Sequence, residues 1–301
     1  MTIDNEEITV AADIGGTHMR SALVTAAGKI IHREEQPTPR DATTTDALTD
    51  LIRSVANNRH NLLAPTTVII GLPGQVDYAA GRLLSGPNLP PTWHAQLSEQ
   101  QLTNKIGLPV RIANDADVAA VGEAYFGAGR DHRDVAYITV STGIGAGLVY
   151  SGQLIRGARS LAELGHTIID REAEREDLPA TLEEIAAGSG MARMASAAGL
   201  GSITGEKIDE LKQKGDERAT KIWSDSVFAT AIGITNLITC FSPELVVLGG
   251  GIGLQQEYFA ALTKAIEHMC IAHPPASPMV QAVLGDNAGL IGCARWLAAT
   301  L

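Results

Sequence analysis

Residues 8–24 are ITVAADIGGTHMRSALV, an apolar segment, a turn of small residues and a second apolar segment. Apolar runs of this length predict strands, and Gly-Gly is common in the tight turn of a hairpin. A similar arrangement follows at residues 134–150, DVAYITVSTGIGAGLVY, where an apolar strand again runs into small residues and a second strand. The likeness predicts an internal duplication, with two similar sheets that face one another across a cleft.

Strands and helices alternate along the rest of the chain, which predicts an α/β fold. Further strands are predicted at 28–32, 67–72, 110–113, 244–248 and 279–284. Helices are predicted at 46–58, 117–128, 182–198, 258–272 and 288–299, and residues 208–240 are predicted to be mostly helix in one or two segments. The charged segment 171–177 is predicted to be a solvated loop.

The composition excludes several classes of protein. With 301 residues, 45% of them hydrophobic, the chain is long enough for a sizeable core and for one large or two smaller domains. Its net charge of −11 disfavours nucleic acid and anionic membranes as partners. The apolar stretches are interrupted before ~20 residues and the acidic N-terminus has no secretory signal, so no membrane span is expected. Three widely spaced cysteines, Cys240, Cys270 and Cys293, predict reduced thiols in a cytoplasmic protein.

Both small-residue turns carry groups that suit phosphate binding. The glycines of the turn Gly15–Thr17 let backbone N–H groups approach phosphate oxygens, and the threonine adds a hydroxyl donor. Asp13, at the end of the preceding strand, is a candidate acid for Mg²⁺, acting through water. Thr142 and Gly143 repeat this chemistry. The alternative for each turn is a tight hairpin without a ligand, and neither turn is a Walker loop or a dinucleotide-binding fingerprint.

A triglycine turn, Gly249–Gly251, follows the apolar strand that ends at Leu248. Bare backbone there suits the flat face of an adenine or a ribose, and the alternative is a flexible turn. Together with the two turns above, it predicts a cleft that holds ATP between two domains.

Several polar residues suit sugar chemistry. Asp115 follows a short apolar strand, where a carboxylate can accept the proton of an attacking hydroxyl, and Asn114 can hold another hydroxyl. The alternative is an Asn-Asp helix cap, and both interpretations hold if Asp117 caps the helix. Glu163 and His166 can bracket adjacent sugar hydroxyls, although a lone histidine is also common on a surface or in a satisfied core.

Two further candidates have local alternatives. Glu183 lies at the predicted start of a helix, where an acid also serves as a partner of the helix dipole. Asn88 lies in a Pro-Asn-Leu-Pro loop and can reach a ligand or simply form a turn.

In this order the motifs resemble those of the ROK family, which groups repressors, open reading frames and sugar kinases. The matching segments are DIGGTHMR (13–20), GLPGQVD (71–77), PNLP (87–90), AND (113–115), STGIGAGLV (141–149), AELGHT (162–167), TLEEIAAG (181–188) and LVVLGGGIG (245–253). Members of the family belong to the actin-like, ribonuclease-H-related ATPase superfamily. The resemblance therefore implies a two-lobed α/β fold with the active site in the cleft between the lobes. The lobes are predicted at 1–115 plus 287–301 and at 116–286.

The resemblance also implies roles for single residues. Asp115 is the expected general base on the sugar hydroxyl, and Asp13 is the expected acid on the Mg²⁺ side. The expected phosphate- and nucleotide-binding residues are Gly15, Gly16, Thr17, Thr142, Gly143, Gly249, Gly250 and Gly251. The expected sugar-binding residues are Gly74, Asn88, Asn114, Glu163, His166 and Glu183.

One departure from the family is large. Most ROK kinases carry C-x-C-G-x-x-G-C-x-E after the histidine, and its cysteines with a His bind a structural Zn²⁺. Here residues 170–183 are DREAEREDLPATLE, without a cysteine, so no zinc site is predicted. Glu183 still falls where the family has its glutamate. Some relatives without zinc use polyphosphate as the donor, and about ten residues before the first motif leave no room for a repressor's DNA-binding domain.

The sequence therefore predicts an ATP- and Mg²⁺-dependent hexose kinase that acts on a primary hydroxyl, with glucose to glucose 6-phosphate ranked first. The alternatives are an N-acetylmannosamine or N-acetylglucosamine kinase and a non-catalytic sugar-sensing member of the family. A homodimer or homotetramer is expected from the resemblance alone.

Overall fold

The computed structural model describes residues 7–58, 63–86, 88–159, 163–176, 178–270 and 277–300, with the backbone alone for Glu174, Arg175 and Glu206. The first six residues, Pro87 of the PNLP motif and Ala162 of the AELGHT motif lie outside the described residues. The chain forms two compact units, one of residues 1–134, 147–161 and 283–301 and the other of residues 135–146 and 162–282. The lobe boundaries given above stay a prediction.

Strands and helices alternate along the chain, as the α/β pattern predicts. In chain order they are β1 Ile8–Ile14, β2 His18–Thr25, β3 Ile30–Pro37, α1 Asp46–Asn57, β4 Thr67–Leu72, β5 Gln75–Asp77, β6 Arg82–Ser85, α2 Glu99–Ile106, β7 Val110–Asn114, α3 Asp115–Phe126, β8 Asp134–Val140, β9 Ile144–Tyr150, β10 Gln153–Leu154, α4 Arg171–Arg175, α5 Leu182–Ala186, α6 Gly188–Ala197, α7 Gly205–Gln213, α8 Glu217–Phe241, β11 Leu245–Gly249, α9 Gln256–Met269, β12 Met279–Gln281, α10 Ala288–Cys293 and α11 Trp296–Ala299. Short 3₁₀ turns lie at Pro91–Gln96, Leu164–His166 and Gly285–Asn287.

The first sheet has the order β3-β2-β1-β4-β7. Strand β1 pairs antiparallel with β2 and parallel with β4, and β4 pairs parallel with β7. The residues of β1 and β4 are mostly buried, which is why these strands are continuous apolar runs. Because parallel strands end at one edge of a sheet, Asp13 at the end of β1 and Asn114 at the end of β7 lie at the same edge.

The second sheet has the order β10-β9-β8-β11-β12. Strands β8, β11 and β12 are parallel, and Thr139 of β8 is in register with Gly249 of β11. The turn after β8 and the triglycine turn after β11 therefore leave the sheet at the same edge. This is the edge at which ligands bind in sheets of this type.

Aliphatic side chains form most of the core of the described residues. In the first unit, α1 buries Leu48, Ile52 and Val55 at the helical spacing predicted for it. In the second unit, a smaller apolar cluster around Met191 and Ile208 joins α6, α7 and α8.

Glycines let α10 approach α3 closely. Helix α3 is buried over most of its length, so its neighbours must fit a crowded surface. A Cβ atom at Gly292 would overlap the carbonyl oxygen of Val118, and one at Gly122 would overlap that of Ala288. The two backbones are therefore in direct contact, which fixes α3 against the last part of the chain.

A buried carboxylate makes a second link between these elements. Glu123 of α3 is fully buried, and its Oε1 accepts the N–H groups of Val283 and Leu284 at 3.0 and 2.8 Å. Its Oε2 accepts the N–H of Ala128 at 2.9 Å. The carboxylate thus ties the end of α3 to the segment that leads into α10.

The prediction of a loop at 171–177 is wrong for most of that segment. Helix α4 forms there, because the Oδ1 of Asp170 accepts the N–H groups of Glu172 and Ala173, both at 3.0 Å. Asp170 is therefore the N-terminal cap of α4. The loop prediction rested on the high charge of the segment and did not take this cap into account.

The single helix predicted at 182–198 is two helices, α5 and α6. The break is at Ala187, which is extended at φ −70° and ψ 158°. The next amide, that of Gly188, donates to the Ser141 carbonyl oxygen at 2.8 Å instead of continuing α5. A tertiary hydrogen bond therefore ends the first helix. The closing helix predicted at 288–299 is likewise divided into α10 and α11.

Helix α8 is the one helix among the described residues that is long and apolar enough to cross a membrane by length and composition. Half of its most apolar window is buried, and it packs against α5, α7 and α9. These contacts explain its apolar character as that of a core helix of the second unit.

Candidate active site

The turn after β1 is closed by hydrogen bonds from within and from outside. The Gly15 N–H donates to the carbonyl oxygen three residues later at 2.8 Å. Thr38 donates its hydroxyl to the Gly15 carbonyl at 2.7 Å and its N–H to the Thr17 carbonyl at 2.9 Å. A Cβ atom at Gly16 would lie 3.2 Å from the Asn88 carbonyl oxygen. The structure therefore brings the predicted phosphate turn against Asn88, an exposed residue predicted to bind sugar.

Asp13 lies opposite Arg20 in the ladder between β1 and β2. The Arg20 Nη1 donates to Asp13 Oδ2 at 3.4 Å, and its Nη2 lies 3.7 Å from the carboxylate of Asp286. Burial raises the pKa of the Asp13 carboxyl above its usual value, and the Arg20 guanidinium opposes that shift. Gly289 faces the other oxygen, and even a Cβ atom there would lie 3.9 Å from Oδ1.

Asn114 caps α3 and ties the helix start to the loop after β4. Its Oδ1 accepts the N–H groups of Ala116 and Asp117 at 2.9 and 3.1 Å, and its Nδ2 donates to the Gly74 carbonyl at 2.9 Å. Asp115 is the first residue of the helix and is half-buried. The helix cap expected at Asn114-Asp115 is confirmed and is formed by Asn114, whereas Asp117 does not cap the helix because its carboxylate is bound by Tyr78.

Tyr78, which the sequence did not single out, completes this helix start together with Asp117. The Tyr78 hydroxyl donates to Asp117 Oδ2 at 2.6 Å and accepts the N–H of Asn114 at 3.0 Å. Burial raises the pKa of the Tyr78 phenol far above its usual value, so the hydroxyl keeps its proton. The signal in the sequence for such a partner was Asp117, an acid inside an apolar helix start, because a buried carboxylate requires a hydrogen-bond donor.

In the second unit, the turn after β8 is held by the start of α6. The N–H groups of Gly188 and Ser189 donate to the carbonyl oxygens of Ser141 and Thr142 at 2.8 and 3.1 Å. The Ser141 N–H donates to the Gly143 carbonyl at 2.9 Å and closes the turn. Three successive carbonyl oxygens of this predicted phosphate turn are thus bound by protein N–H groups.

Glu183 binds the same turn. Its Oε2 accepts the Ile144 N–H at 2.7 Å, and a Cβ atom at Gly143 would lie 2.7 Å from that oxygen. Glu183 also lies in the first turn of α5, so the helix-dipole interpretation and a site role are compatible. A side chain at position 143 would therefore displace the carboxylate of Glu183 from the Ile144 N–H.

The loop with Glu163 and His166 lies beside Glu183. A Cβ atom at Gly165 would lie 3.3 Å from the Glu183 Cβ, and it would overlap the Ile144 carbonyl oxygen. The His166 Nε2 lies 3.8 Å from Glu163 Oε2, and the histidine side chain is exposed. The second unit thus brings three predicted sugar residues together with the predicted phosphate turn.

The three glycines after β11 have different surroundings. A Cβ atom at Gly249 would overlap the ring of Tyr137, and Gly250 has φ +84°, which favours glycine. At Gly251 the nearest atom to an added Cβ is Ser141 Oγ, at 4.0 Å. The first two glycines are required by packing and backbone conformation, whereas Gly251 presents bare backbone next to the turn after β8.

No group of three or more His, Cys, Asp or Glu side chains in the described part of the chain is arranged to hold a metal ion. The absence of a zinc site stays a prediction. A Mg²⁺ site needs fewer protein ligands, because this ion is often held by one carboxylate together with substrate phosphates and water. Asp13 fits that requirement, since one of its oxygens pairs with Arg20 and the other faces a glycine.

The fold is the actin-like α/β fold of sugar kinases, with the small-residue turns and acids of each unit at a sheet edge. The ROK family model matches residues 9–300, and the chain belongs to the ROK family. An N-acetylmannosamine kinase from Escherichia coli is 34% identical over 302 residues, which cover 95% of this chain and 97% of that protein.

Two solved structures are similar to this chain over nearly their whole lengths. A ROK hexokinase from Thermus thermophilus matches with a TM-score of 0.82 and 29% identity, covering 95% of this chain and 96% of that one. A ROK family glucokinase from Streptomyces griseus, in complex with glucose and AMPPNP, matches with a TM-score of 0.77 and 29% identity, covering 96% and 98%.

Proposed function

We propose that this chain transfers the γ-phosphate of Mg-ATP to the primary hydroxyl of a hexose, with glucose as the first candidate substrate. That it is a sugar kinase follows from its family and from the relatives it matches along nearly its whole length. The observation that carries the rest is the start of α3, where Asp115 follows a cap that is itself tied to Gly74 and Tyr78.

Asp115 is the proposed general base. It is a half-buried carboxylate at the first position of a buried helix, and its Oδ1 accepts the Ala116 N–H at 2.8 Å. A carboxylate that keeps one orientation can accept the proton of a sugar hydroxyl as that hydroxyl attacks the phosphorus. Asn114 stays in place through its three hydrogen bonds and is the proposed neighbour of a second hydroxyl.

The proposed phosphate and nucleotide groups are the turns after β1, β8 and β11. Except for the buried Gly249, their glycines are partly or fully exposed, and Thr17 and Thr142 add exposed hydroxyls. When bound, Mg²⁺ supplies positive charge to the transferred group. Asp13 is the residue that would hold the hydrated ion, with Arg20 on its other oxygen.

The proposed sugar ligands in the second unit are Glu163, His166 and Glu183. Glu183 binds the turn after β8 with Oε2, so a sugar hydroxyl and that turn share one carboxylate. Glucose, N-acetylmannosamine and N-acetylglucosamine have most of these hydroxyls in common, so the N-acetylhexosamines are the second class of candidate substrate. A cytoplasmic homodimer or homotetramer remains part of the proposal.

The test is ADP release from Mg-ATP across a panel of hexoses and N-acetylhexosamines. Asp115→Asn keeps the size of the side chain and an acceptor for the Ala116 N–H, so the helix start is preserved. We expect one preferred sugar and a fall in kcat of about 10²–10⁴-fold in this variant, the usual effect of losing a general base. Asp131→Asn, at an exposed position, is the matched control and is expected to behave as wild type.

The results of this test distinguish a kinase from a non-catalytic sugar-binding protein, and they distinguish ATP from polyphosphate as the phosphate donor. Sugar-dependent turnover that survives Asp115→Asn would remove Asp115 as the base. Turnover with polyphosphate and none with ATP would change the donor. Sugar binding by calorimetry without turnover on either donor would replace the kinase by a non-catalytic sugar-binding protein.

A further inference from the structure

We propose that Glu184 is a positioning residue for its neighbour Glu183. Its carboxylate and the Thr181 side chain form a hydrogen-bonded pair, the Thr181–Glu184 staple, that holds the start of α5 so that Glu183 keeps its place on the sugar and on the turn after β8. This role of Glu184 rests on the proposed role of Glu183 as a sugar-binding residue, because Glu184 is proposed to hold Glu183 in place.

The two ends of the charged segment 167–182 are hydrogen-bonded to each other. The Leu182 N–H donates to the Thr167 carbonyl oxygen at 2.9 Å, and the Ile169 N–H donates to the Ala180 carbonyl oxygen at 2.9 Å. The two ends of the segment therefore pair like the strands of a short antiparallel ladder. His166 and Glu183, two of the predicted sugar residues, directly flank these ends, so we expect a change in the pairing to move both.

Glu184 closes this pairing from the helix side. Its Oε2 accepts the N–H of Ala180 at 3.2 Å, the N–H of Thr181 at 3.1 Å and the hydroxyl of Thr181 at 2.9 Å. In return, the Glu184 N–H donates to the Thr181 hydroxyl oxygen at 3.3 Å. This is a reciprocal capping box, and it gathers three donors on one carboxylate oxygen.

Helix α5 depends on that box because it has five residues, far fewer than a helix needs to be stable by itself. Leu182 is fully buried and packs against Gly233 of α8, which holds one side of the helix. Ala186, one turn further on, is also fully buried, and its carbonyl oxygen accepts the Ser226 hydroxyl of α8 at 2.8 Å, so packing holds the buried face and the C-terminal end of the helix. The capping box holds the N-terminal end, where Glu183 lies with its Oε2 2.7 Å from the Ile144 N–H.

The other end of α5 is tied to α6. Arg193 Nη2 donates to the Glu184 carbonyl oxygen at 2.7 Å, and a Cβ atom at Gly190 would overlap that same oxygen. Helix α6 in turn binds the turn after β8 through its first amides. Glu184 thus lies between Glu183, the proposed sugar ligand, and the helix that binds the predicted phosphate turn after β8.

The test compares Glu184→Ala, which removes the acceptor, with Glu184→Gln, which keeps an acceptor oxygen of the same reach. Glutamine also occupies this position in capping boxes, so it is expected to rescue the alanine variant. For Glu184→Ala, we expect the sugar KM to rise about 5–30-fold and the ATP KM to change less than about 2-fold. Glu176→Ala, an exposed acid of the same segment, is the matched control and is expected to leave both KM values unchanged.

A merely structural role would raise the sugar KM and the ATP KM alike, and that result would overturn the proposal. So would an unchanged sugar KM in a folded Glu184→Ala protein, or an equal rise in Glu176→Ala. If Glu184→Ala does not fold, the pair Thr181→Val and Thr181→Ser asks the same question, with the serine variant expected to keep the wild-type sugar KM.

Hydrogen exchange separates failure of this inference from failure of the proposed function. Without sugar-dependent turnover in the wild type, the kinase proposal fails. Faster exchange of the Ile144 amide in Glu184→Ala than in wild type would still support the staple. Equal exchange rates of that amide would overturn it.

Discussion

Asp115 and Glu183 each lie in the first turn of a capped helix, yet the two helices are held in different ways. Helix α3 has 12 residues, most of them buried, and its start is tied to Tyr78 and Gly74. Helix α5 has five residues, and its start is tied to its own segment by the Thr181–Glu184 staple.

The difference shows how one local signal, a cap before an acid, has two physical consequences. Packing along the whole length of α3 fixes the position of Asp115, so a lost cap costs stability more than it costs geometry. In the five-residue α5, packing of Leu182 and Ala186 holds only one face, so we expect local hydrogen bonds at its start to decide where Glu183 lies. Mutations at the start of α3 are therefore expected to lower mainly the stability of the protein, and mutations at the start of α5 are expected to lower mainly its affinity for sugar.

The largest expected effect is that of Gly292→Ala, which attacks the packing of α3. The added Cβ would overlap a backbone oxygen, that of Val118, so α3 and α10 must separate. We expect the free energy of unfolding to fall by about 3 kcal/mol or more, measured by urea denaturation. Gly289→Ala is the control in the same helix, because its Cβ would have no neighbour closer than 3.7 Å. Equal stability of the two variants would show that packing does not fix α3.

Removing the two caps tests the comparison directly. Asn114→Ala loses the cap and the bond to Gly74, and we expect it to lower the free energy of unfolding by about 2 kcal/mol. Thr181→Ala is expected to lower it by about 0.5–1 kcal/mol but to speed hydrogen exchange around α5. If Thr181→Ala proves the more destabilising of the two, the contrast between the helices is wrong.

The glycines of the two predicted phosphate turns provide a finer test. In Gly143→Ala the new Cβ meets the mobile end of Glu183, so the carboxylate must leave the Ile144 N–H while the fold persists. We expect the sugar KM to rise about 10-fold, the size of one lost charge-assisted hydrogen bond, with little change in melting temperature. Gly16→Ala meets the Asn88 backbone at 3.2 Å and is expected to change the sugar KM less. A larger effect at Gly16 would contradict the link between Glu183 and its turn.

The smallest expected effect is a pH dependence of the staple. Hydrogen bonds from the Thr181 backbone and hydroxyl, and from the Ala180 backbone, lower the pKa of Glu184 below its ordinary 4.5, and Arg193 adds to this. A lowered pKa contributes stability above the unfolded pKa that is lost as pH falls through the folded value. The difference in melting temperature between wild type and Glu184→Gln should be largest near neutral pH and shrink below 4.5. A difference that grows on acidification would reverse the sign and refute this account.

Local pattern was sufficient for most of the long apolar elements and insufficient for the polar helix α4 and for the ends of helices. The spacing of Leu48, Ile52 and Val55 predicts α1, and the apolar runs before the small-residue turns predict β1 and β8, as observed. The end of α5 at Ala187 was not predicted, because the hydrogen bond that ends it comes from a turn more than forty residues earlier in the chain.

By itself, the sequence determined the α/β class, the ROK family, the small-residue turns and the identity of the candidate acids, because these depend on residue type and on neighbours a few positions away. Only the tertiary structure decided that Asn114 rather than Asp117 caps α3, that Tyr78 binds Asp117, and that Glu183 binds the Ile144 amide. Each of these choices satisfies a polar group that folding removes from water. The partner is whichever complementary group packing brings within about 3 Å, and distance along the chain does not encode it.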